Sequence, residues 1–486
     1  MDLLAVIPGA VSDQPAPGAE IRRVSHDSRT VRPGDLFVAI RGLRADGLQH
    51  VEEAVSRGAA AVVSDREKPA GLAVPWIRVE NPRRALALAA ARLAGSPSER
   101  LVLAGVTGTN GKTTTATLLS AILARRFGQA GFLGTIGYRT GKREIEAART
   151  TPDATLLQSL LAEMLESGMP AAAIEVSSHA LALDRVAGTR FDVAVFTNLT
   201  RDHLDFHADM DEYYRAKAML FEMRKPGGAA VVNVDDPFGV RLAAEASPPV
   251  VTVSSRGAAA DAAASEVRCD LEGTSFDLQW KGSASFQVKS PLLGRFNVDN
   301  LLAASAAGLA LGISPEDVTA ACASVAVVPG RLERVDAGQP YRILVDYAHT
   351  PDALERLLLA VRELTDRKIV LVFGAGGDRD RGKRFPMGEI AGRLADIPIA
   401  TSDNPRSEDP NAILAEVGAG LAASGATKAL KIPDRREAIR AAIELANTGT
   451  VVVIAGKGHE TTQVVGTSET PFDDRKVAAE MAGARR

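Results

Sequence analysis

Leu101-Val102-Leu103-Ala104-Gly105-Val106-Thr107-Gly108-Thr109-Asn110-Gly111-Lys112-Thr113-Thr114-Thr115 decides how the chain is read. An apolar run, 101–106, enters a glycine-rich turn, and a helical pattern, 113–127, leaves it. Strand, turn and Lys-Thr at a helix start form a nucleotide-phosphate loop, because backbone N–H groups of the turn and of the first helical turn converge on an oxyanion. Lys112 is expected to reach the β- and γ-phosphates, and the Thr113 hydroxyl to hold Mg²⁺. The pattern G-x-x-x-x-G-K-[ST] is broken at its first position, where Val106 stands and the glycines fall at 105 and 108. A glycine-rich turn that binds nothing is the plain alternative. An ATP or GTP site is the starting expectation.

The 486 residues exceed what one core organises and suggest two or three domains. Apolar residues make up 46% and charged residues 24%, the balance of a globular protein able to bury sizeable cores. A net charge of −3 without a basic run argues against nucleic acid as a partner. Cys269 and Cys322 have no metal-like spacing, which fits a reducing compartment. The start of the chain lacks the basic and apolar regions of a signal peptide, and 85–94 is too short and too charged to span a bilayer. A cytoplasmic protein without membrane insertion is expected.

Residues 1–97 read as a small α/β module ending in a helix at 83–93. Within it Ser25-His26-Asp27-Ser28-Arg29, taken alone, is a polar turn. From residue 100 to about 329, apolar runs at 101–106, 171–176, 192–199 and 229–234 alternate with helical stretches. This is the pattern of a mainly parallel sheet covered by helices. Residues 252–288 look β-rich, and 296–311 looks like an alanine-rich helix. In such sheets ligands bind at the carboxyl ends of strands. The polar residues just after each run, such as Ser177 and His203, therefore matter most. Glu175 stands inside an otherwise apolar run, so its carboxylate needs an ion pair, hydrogen bonds or a metal.

Val328-Pro329-Gly330-Arg331 marks a boundary, after which runs at 343–346, 369–373, 397–400 and 451–454 form a second α/β series. Each again ends in a polar or glycine-rich segment: Tyr347 to Pro351, Gly374 to Arg379, Ser402 to Arg406, and Gly456 to Glu460. Four such segments at successive strand ends make a second ligand-facing edge. Gly374-Ala-Gly-Gly lacks the spacing of a dinucleotide site. The expected domains are 1–97, 98–329 and 330–486, with a cleft that closes between catalytic edges.

Gly-Thr-Asn-Gly-Lys-Thr-Thr at 108–114, Glu175-Val-Ser-Ser-His179, Asn198-Leu-Thr-Arg-Asp-His203, Gly294-Arg-Phe-Asn297, Pro329-Gly-Arg331 and Asp346-Tyr-Ala-His-Thr-Pro351 together resemble the Mur ligase family, in that family's order and over nearly the whole chain. The resemblance implies an ATP-dependent amino-acid ligase of peptidoglycan precursor synthesis. Its parts would be an N-terminal domain for a uridine nucleotide, a central ATPase domain, and a C-terminal Rossmann-like domain that brings the amino acid. Ser25 to Arg29, Arg41-Gly-Leu-Arg-Ala-Asp46 and Asp403-Asn404-Pro405-Arg406 resemble the members that add meso-diaminopimelate to UDP-muramyl dipeptide.

By that resemblance Gly108, Thr109, Asn110, Gly111, Lys112, Thr113 and Thr114 bind ATP phosphates, and Asn297, Arg331 and Asp346 hold the adenosine part. Thr113, Glu175 and His203 would be Mg²⁺ ligands, and Lys217 the lysine carried as a carbamate. Lys112, Lys217 and His203 are the catalytic candidates. His26, Ser28, Thr150, Thr151, Ser177 and Arg185 fall at muramyl-substrate positions. Arg149 and Leu183 stand where the family often has Asn and Gln. Meso-diaminopimelate differs from lysine by a distal carboxylate, whose recognition needs a guanidinium fork together with acceptors for an ammonium. Arg406, with Arg379 as a second candidate, supplies the fork, and Asp403 and Glu460 the acceptors. Asn404, Pro405 and Gly456 complete that expected pocket. A monomer is expected. The competing readings are a lysine-adding or folylpolyglutamate synthase-like ligase and, in a different class, a regulatory ATPase.

Overall fold

The computed structural model describes residues 3–14, 21–42 and 46–484. Leu43, Arg44 and Ala45 of the Arg41–Asp46 stretch lie outside the described residues. The chain divides into two compact units. One holds residues 1–265, 277–286 and 299–322; the other holds 266–276, 287–298 and 323–486.

The first unit begins with a small sheet in the order Val11–Ser12, Trp76–Arg78, Ala61–Ser64, Leu36–Val38, Val24–Ser25. Alternation within Leu36-Phe37-Val38 sends Leu36 and Val38 into one core and Phe37 into another, with Trp76. The middle of a larger sheet follows, in the order Val250–Ser254, Arg224–Asn233, Phe191–Phe196, Val102–Thr107, Ala171–Glu175, Gly131–Gly134. All these neighbours are parallel. The strands at 102–107, 171–175, 191–196 and 224–233 are those the apolar runs predict. Leu157, Leu161, Tyr213, Tyr214 and Phe221, from helices Ala154–Glu166 and Met210–Glu222, cover one face of this sheet.

The second unit has a sheet in the order Glu333–Val335, Arg342–Asp346, Thr450–Ala455, Lys368–Ala375, Ile397–Ser402, Leu430–Lys431, parallel except for the first pair. Leu344, Ile369, Leu371 and Phe373 pack with helices Pro351–Leu364, Arg384–Leu394 and Pro410–Ala423. Ile343, Val345, Val370 and Val372 point the other way, onto helices Arg435–Leu445 and Asp474–Ala484. Strands covered on both faces must be apolar at every position, which is why they read as unbroken runs.

Helix starts are set locally. Asn81, Asp236, Thr350 and Asp409 each accept a backbone N–H at the start of a helix whose next residue is proline. In the second unit, Arg435 and Asp474 are wholly buried, and their charges meet at 2.6 Å. Arg435 also donates to the carbonyls of Ser402 and Ala455, so it ties a helix start to two strand ends. Removing one member of a buried pair strands the other charge, at a cost of about 3–5 kcal/mol. Asp474→Ala is therefore expected to lower unfolding stability by about that amount, measured by urea denaturation. Arg435→Met combined with Asp474→Leu should recover most of the loss.

Candidate active site

The phosphate loop owes its shape to the strand beside it. Thr109 N donates to Asn198 O at 2.8 Å, Asn110 N to Asn198 Oδ1 at 2.9 Å, and Thr197 Oγ1 to Asn110 O at 2.6 Å. A Cβ on Gly108, whose φ is +150°, would stand 1.9 Å from Thr197 Oγ1. Glycine is thus obligatory at 108, while Val106 is an ordinary buried strand residue. This accounts for the displaced first glycine. Gly111, at φ +84°, opens helix Lys112–Phe127, and no side chain caps that helix. The contrast with the Asn, Asp and Thr caps elsewhere is chemical, since an N-terminus without a side-chain acceptor leaves backbone donors for an anion.

Two lysines converge on the turn. Lys112 Nζ donates to Gly108 O at 2.9 Å and Thr109 O at 2.8 Å, and Lys217 Nζ donates to the same Gly108 O at 2.8 Å. Lys217 is buried and its Nζ stands 4.4 Å from the centre of the Tyr213 ring. Burial, reinforced by the charge of Lys112, holds its ammonium well below the usual lysine value and favours the free amine. His203 lies in the adjoining loop at φ +54°, its ring edge-on to His179 at 4.8 Å. Burial also holds its imidazole below the ordinary value, with Lys112 and Lys217 contributing.

Glu175 is fully buried at the end of its strand. Its Oε2 accepts from Thr113 Oγ1 at 3.0 Å and Thr135 Oγ1 at 3.1 Å, and its Oε1 from Thr135 N at 2.8 Å. The Thr135 hydroxyl also reaches Thr150 Oγ1 at 3.0 Å. Thr151 Oγ1 donates to Glu175 O at 2.8 Å and accepts from Ser177 N at 3.0 Å, and Arg185 reaches Thr151 O at 3.5 Å. Thr113, Glu175, Thr150, Thr151, Ser177 and Arg185 therefore form one connected edge. Thr135, which joins it, and Tyr213, which meets the Thr109 hydroxyl at 3.1 Å, were not legible as site residues. Thr113 and Glu175 offer hard oxygen donors, the chemistry that suits Mg²⁺. Among the described residues no cluster of three or more His, Cys, Asp or Glu side chains could hold a metal, so an ion here would depend on phosphate oxygens and water as well. His26 and Ser28 lie elsewhere in the unit: His26 is exposed, and buried Ser28 donates to Glu53 Oε2 at 2.7 Å.

In the second unit, Asp403, Asn404 and Pro405 are buried and Arg406 is partly exposed. Arg406 takes a left-handed φ of +53°, pinned by its N–H to Val464 O at 3.0 Å and its guanidinium to Gly377 O at 2.7 Å. Such strain persists only where the surroundings fix it and is concentrated at functional positions. Asn404 Nδ2 donates to Glu460 Oε2 at 3.0 Å, and a Cβ on Gly456 would lie 3.4 Å from Asp403 Oδ2. Asp403, Asn404, Gly456 and Glu460 thus meet, with Arg406 beside them; Arg379 is exposed and donates to the carbonyl of Asp378 at 3.5 Å. Asp346 accepts from Leu332 N at 2.8 Å and Ala348 N at 2.9 Å, and the Arg331 guanidinium stands 5.4 Å from the Tyr347 ring centre. Asn297 is buried and donates to Leu293 O at 2.8 Å.

Three family models match the chain in succession: the Mur ligase family catalytic domain over 20–93, the Mur ligase middle domain over 106–308, and the Mur ligase glutamate ligase domain over 330–458. A UDP-N-acetylmuramoyl-L-alanyl-D-glutamate–2,6-diaminopimelate ligase of Solibacter usitatus is 46% identical over 464 residues, 95% of this chain and 93% of the relative. The protein of the same name from Geobacillus kaustophilus is 48% identical over 467 residues, 94% of each chain. A solved structure of a ligase with that name is 34% identical, with a TM-score of 0.72 and 97% of both chains covered. With that likeness along its length, and with a phosphate loop, buried strand-end carboxylate and Asp-Asn-Pro-Arg turn in place, the chain belongs to the Mur ligase family.

Proposed function

We propose that the protein is an ATP-dependent ligase that joins meso-2,6-diaminopimelate to the D-glutamate of UDP-N-acetylmuramoyl-L-alanyl-D-glutamate. The observation that carries this reading is the near-full-length identity, 46–48%, with proteins named for that reaction. The site chemistry supports it. A carboxylate is a poor acyl donor, so the D-glutamate oxygen first attacks the γ-phosphorus of ATP. The bond to the bridging oxygen breaks, and ADP and an acyl phosphate result. The amine of diaminopimelate then attacks the acyl carbon, loses a proton and expels phosphate.

Phosphoryl transfer of this kind depends on positioning and charge neutralisation. The uncapped helix start and Lys112 would hold the phosphates, and Asn297, Arg331 and Asp346 are assigned the adenosine part. Mg²⁺, held through Thr113, Glu175 and His203, would neutralise charge on the transferred group. Lys217 is suited to carbamate formation, since only a free amine adds carbon dioxide; the product is an anion where an ammonium would repel the metal. Thr150, Thr151, Ser177 and Arg185 are assigned to the muramyl peptide, and His26 and Ser28 to its uridine end. Residues 1–97, 98–329 and 330–486 would serve nucleotide-sugar, ATP and amino acid in turn. Among the described residues no helix is long and apolar enough to cross a membrane. A cytoplasmic monomer making peptidoglycan precursor is the setting this reading implies.

Two substitutions should separate ATP binding from amino-acid binding. Gly111→Ala places a methyl 2.2 Å from Asn300 Oδ1 at a φ of +84°. Backbone strain alone costs about 1–3 kcal/mol, so ATP affinity should fall roughly tenfold or more in a fluorescent-nucleotide titration, with the protein still folded. Arg406→Ala should instead raise the KM for diaminopimelate by about tenfold or more, the loss of a charge-assisted fork, and leave the KM for ATP unchanged. Phosphate release should require both the UDP-linked dipeptide and diaminopimelate. Full turnover with ATP alone would mean a regulatory ATPase.

A further inference from the structure

We propose that Lys457 is a positioning and specificity-determining residue of the amino-acid pocket, acting through Asn404, Glu460 and Asp403 without touching the amino acid. The proposal rests on the functional reading above. Lys457 follows strand Thr450–Ala455, between Gly456 at φ +121° and Gly458 at φ +55°. Its side chain is wholly buried. An ammonium taken out of water is costly unless every proton finds an acceptor, so its neighbours show what it is for.

Those neighbours are the pocket residues themselves. Nζ donates to Asn404 Oδ1 at 3.0 Å and to Glu460 Oε2 at 3.2 Å, and stands 3.7 Å from Asp403 Oδ1. That Asp403 oxygen is buried, with no hydrogen-bond partner among the described residues. Asn404 Nδ2 donates to the same Glu460 oxygen at 3.0 Å, which closes a triangle of Nζ, amide and carboxylate. Val464 N donates to Asn404 Oδ1 at 3.0 Å and Gln463 Nε2 to Asp403 O at 2.7 Å. The ammonium thereby sets the rotamers of three residues that come from two different strand ends.

Charge gives the same residue a part in selectivity. Asp403 and Glu460 are acceptors suited to a substrate ammonium, yet they would repel the distal carboxylate that distinguishes diaminopimelate from lysine. Lys457 offsets that repulsion from behind. Of the other cations near Asp403, Arg435 is paired with Asp474, Lys383 donates to His349 O at 2.9 Å, and Arg406, which donates to Gly377 O at 2.7 Å, is the fork assigned to the substrate carboxylate itself. Removing Lys457 uncovers negative charge where a carboxylate must approach, which penalises diaminopimelate more than lysine.

The test is Lys457→Met in the full-length enzyme, supplied with ATP, UDP-muramyl dipeptide and equal diaminopimelate and L-lysine, with the masses of the UDP-linked products compared. The expected result is a rise in the KM for diaminopimelate of about tenfold or more, the loss of one charged hydrogen-bond set. The KM for ATP should be unchanged, and the share of lysine product should rise. An unchanged lysine share, or an unchanged KM for diaminopimelate, overturns the proposal. If Lys457→Met does not fold, Lys457→Gln, which keeps N–H donors without the charge, is read in the same way. Wild-type enzyme that ignores diaminopimelate overturns the functional reading and this proposal with it. A wild type that uses diaminopimelate, with an unaltered lysine share in the variant, overturns the proposal alone.

Discussion

A carboxylate buried at a strand end is the constraint on which the first unit's ligand edge depends. Glu175 has no exposed surface, so its negative charge must be answered from within. The answer comes from three directions: the Thr113 hydroxyl on the phosphate-loop helix, and the Thr135 backbone and hydroxyl beyond the neighbouring strand. Room for the carboxylate is made by Gly134, where a Cβ would stand 2.2 Å from Glu175 Oε1. The same network continues through Thr150 and Thr151 to Ser177. One buried charge thereby couples the groups proposed for metal, phosphate and muramyl peptide.

Two lysines meet at the turn that precedes the Thr113 helix. Lys112 and Lys217 share the carbonyl of Gly108, and burial together with the charge of Lys112 lowers the affinity of Lys217 for its proton. The free amine is the form this environment favours. It is what a lysine needs in order to become an anion by carbamate formation. In the second unit buried Lys457 stands 3.7 Å from Asp403 and 3.2 Å from Glu460, while buried Arg435 pairs with Asp474.

Much of this was legible in the sequence because its causes are local. Runs such as 369–373 are apolar throughout since both sheet faces are covered, and the glycine-rich turn followed by Lys-Thr marks the start of helix Lys112–Phe127. Glu175 stood out as the one charge in its strand. What stayed hidden has tertiary causes. Strand Gly131–Gly134 is bounded by glycines whose reasons are Met164 and Glu175, far away in sequence. Thr135 and Tyr213 look like any polar and aromatic residue until Glu175 and Lys217 are placed beside them. Lys457 sits in a glycine-rich strand end that the sequence does mark, but its burial, and therefore its importance, cannot be seen without the fold.

The most direct measurement is the mass of the UDP-linked product formed from ATP, UDP-N-acetylmuramoyl-L-alanyl-D-glutamate and an equal mixture of meso-diaminopimelate and L-lysine. The predicted product has gained one diaminopimelate residue, with one ADP formed per product. A gain matching lysine, or ADP formed with no gain in mass, would contradict the account.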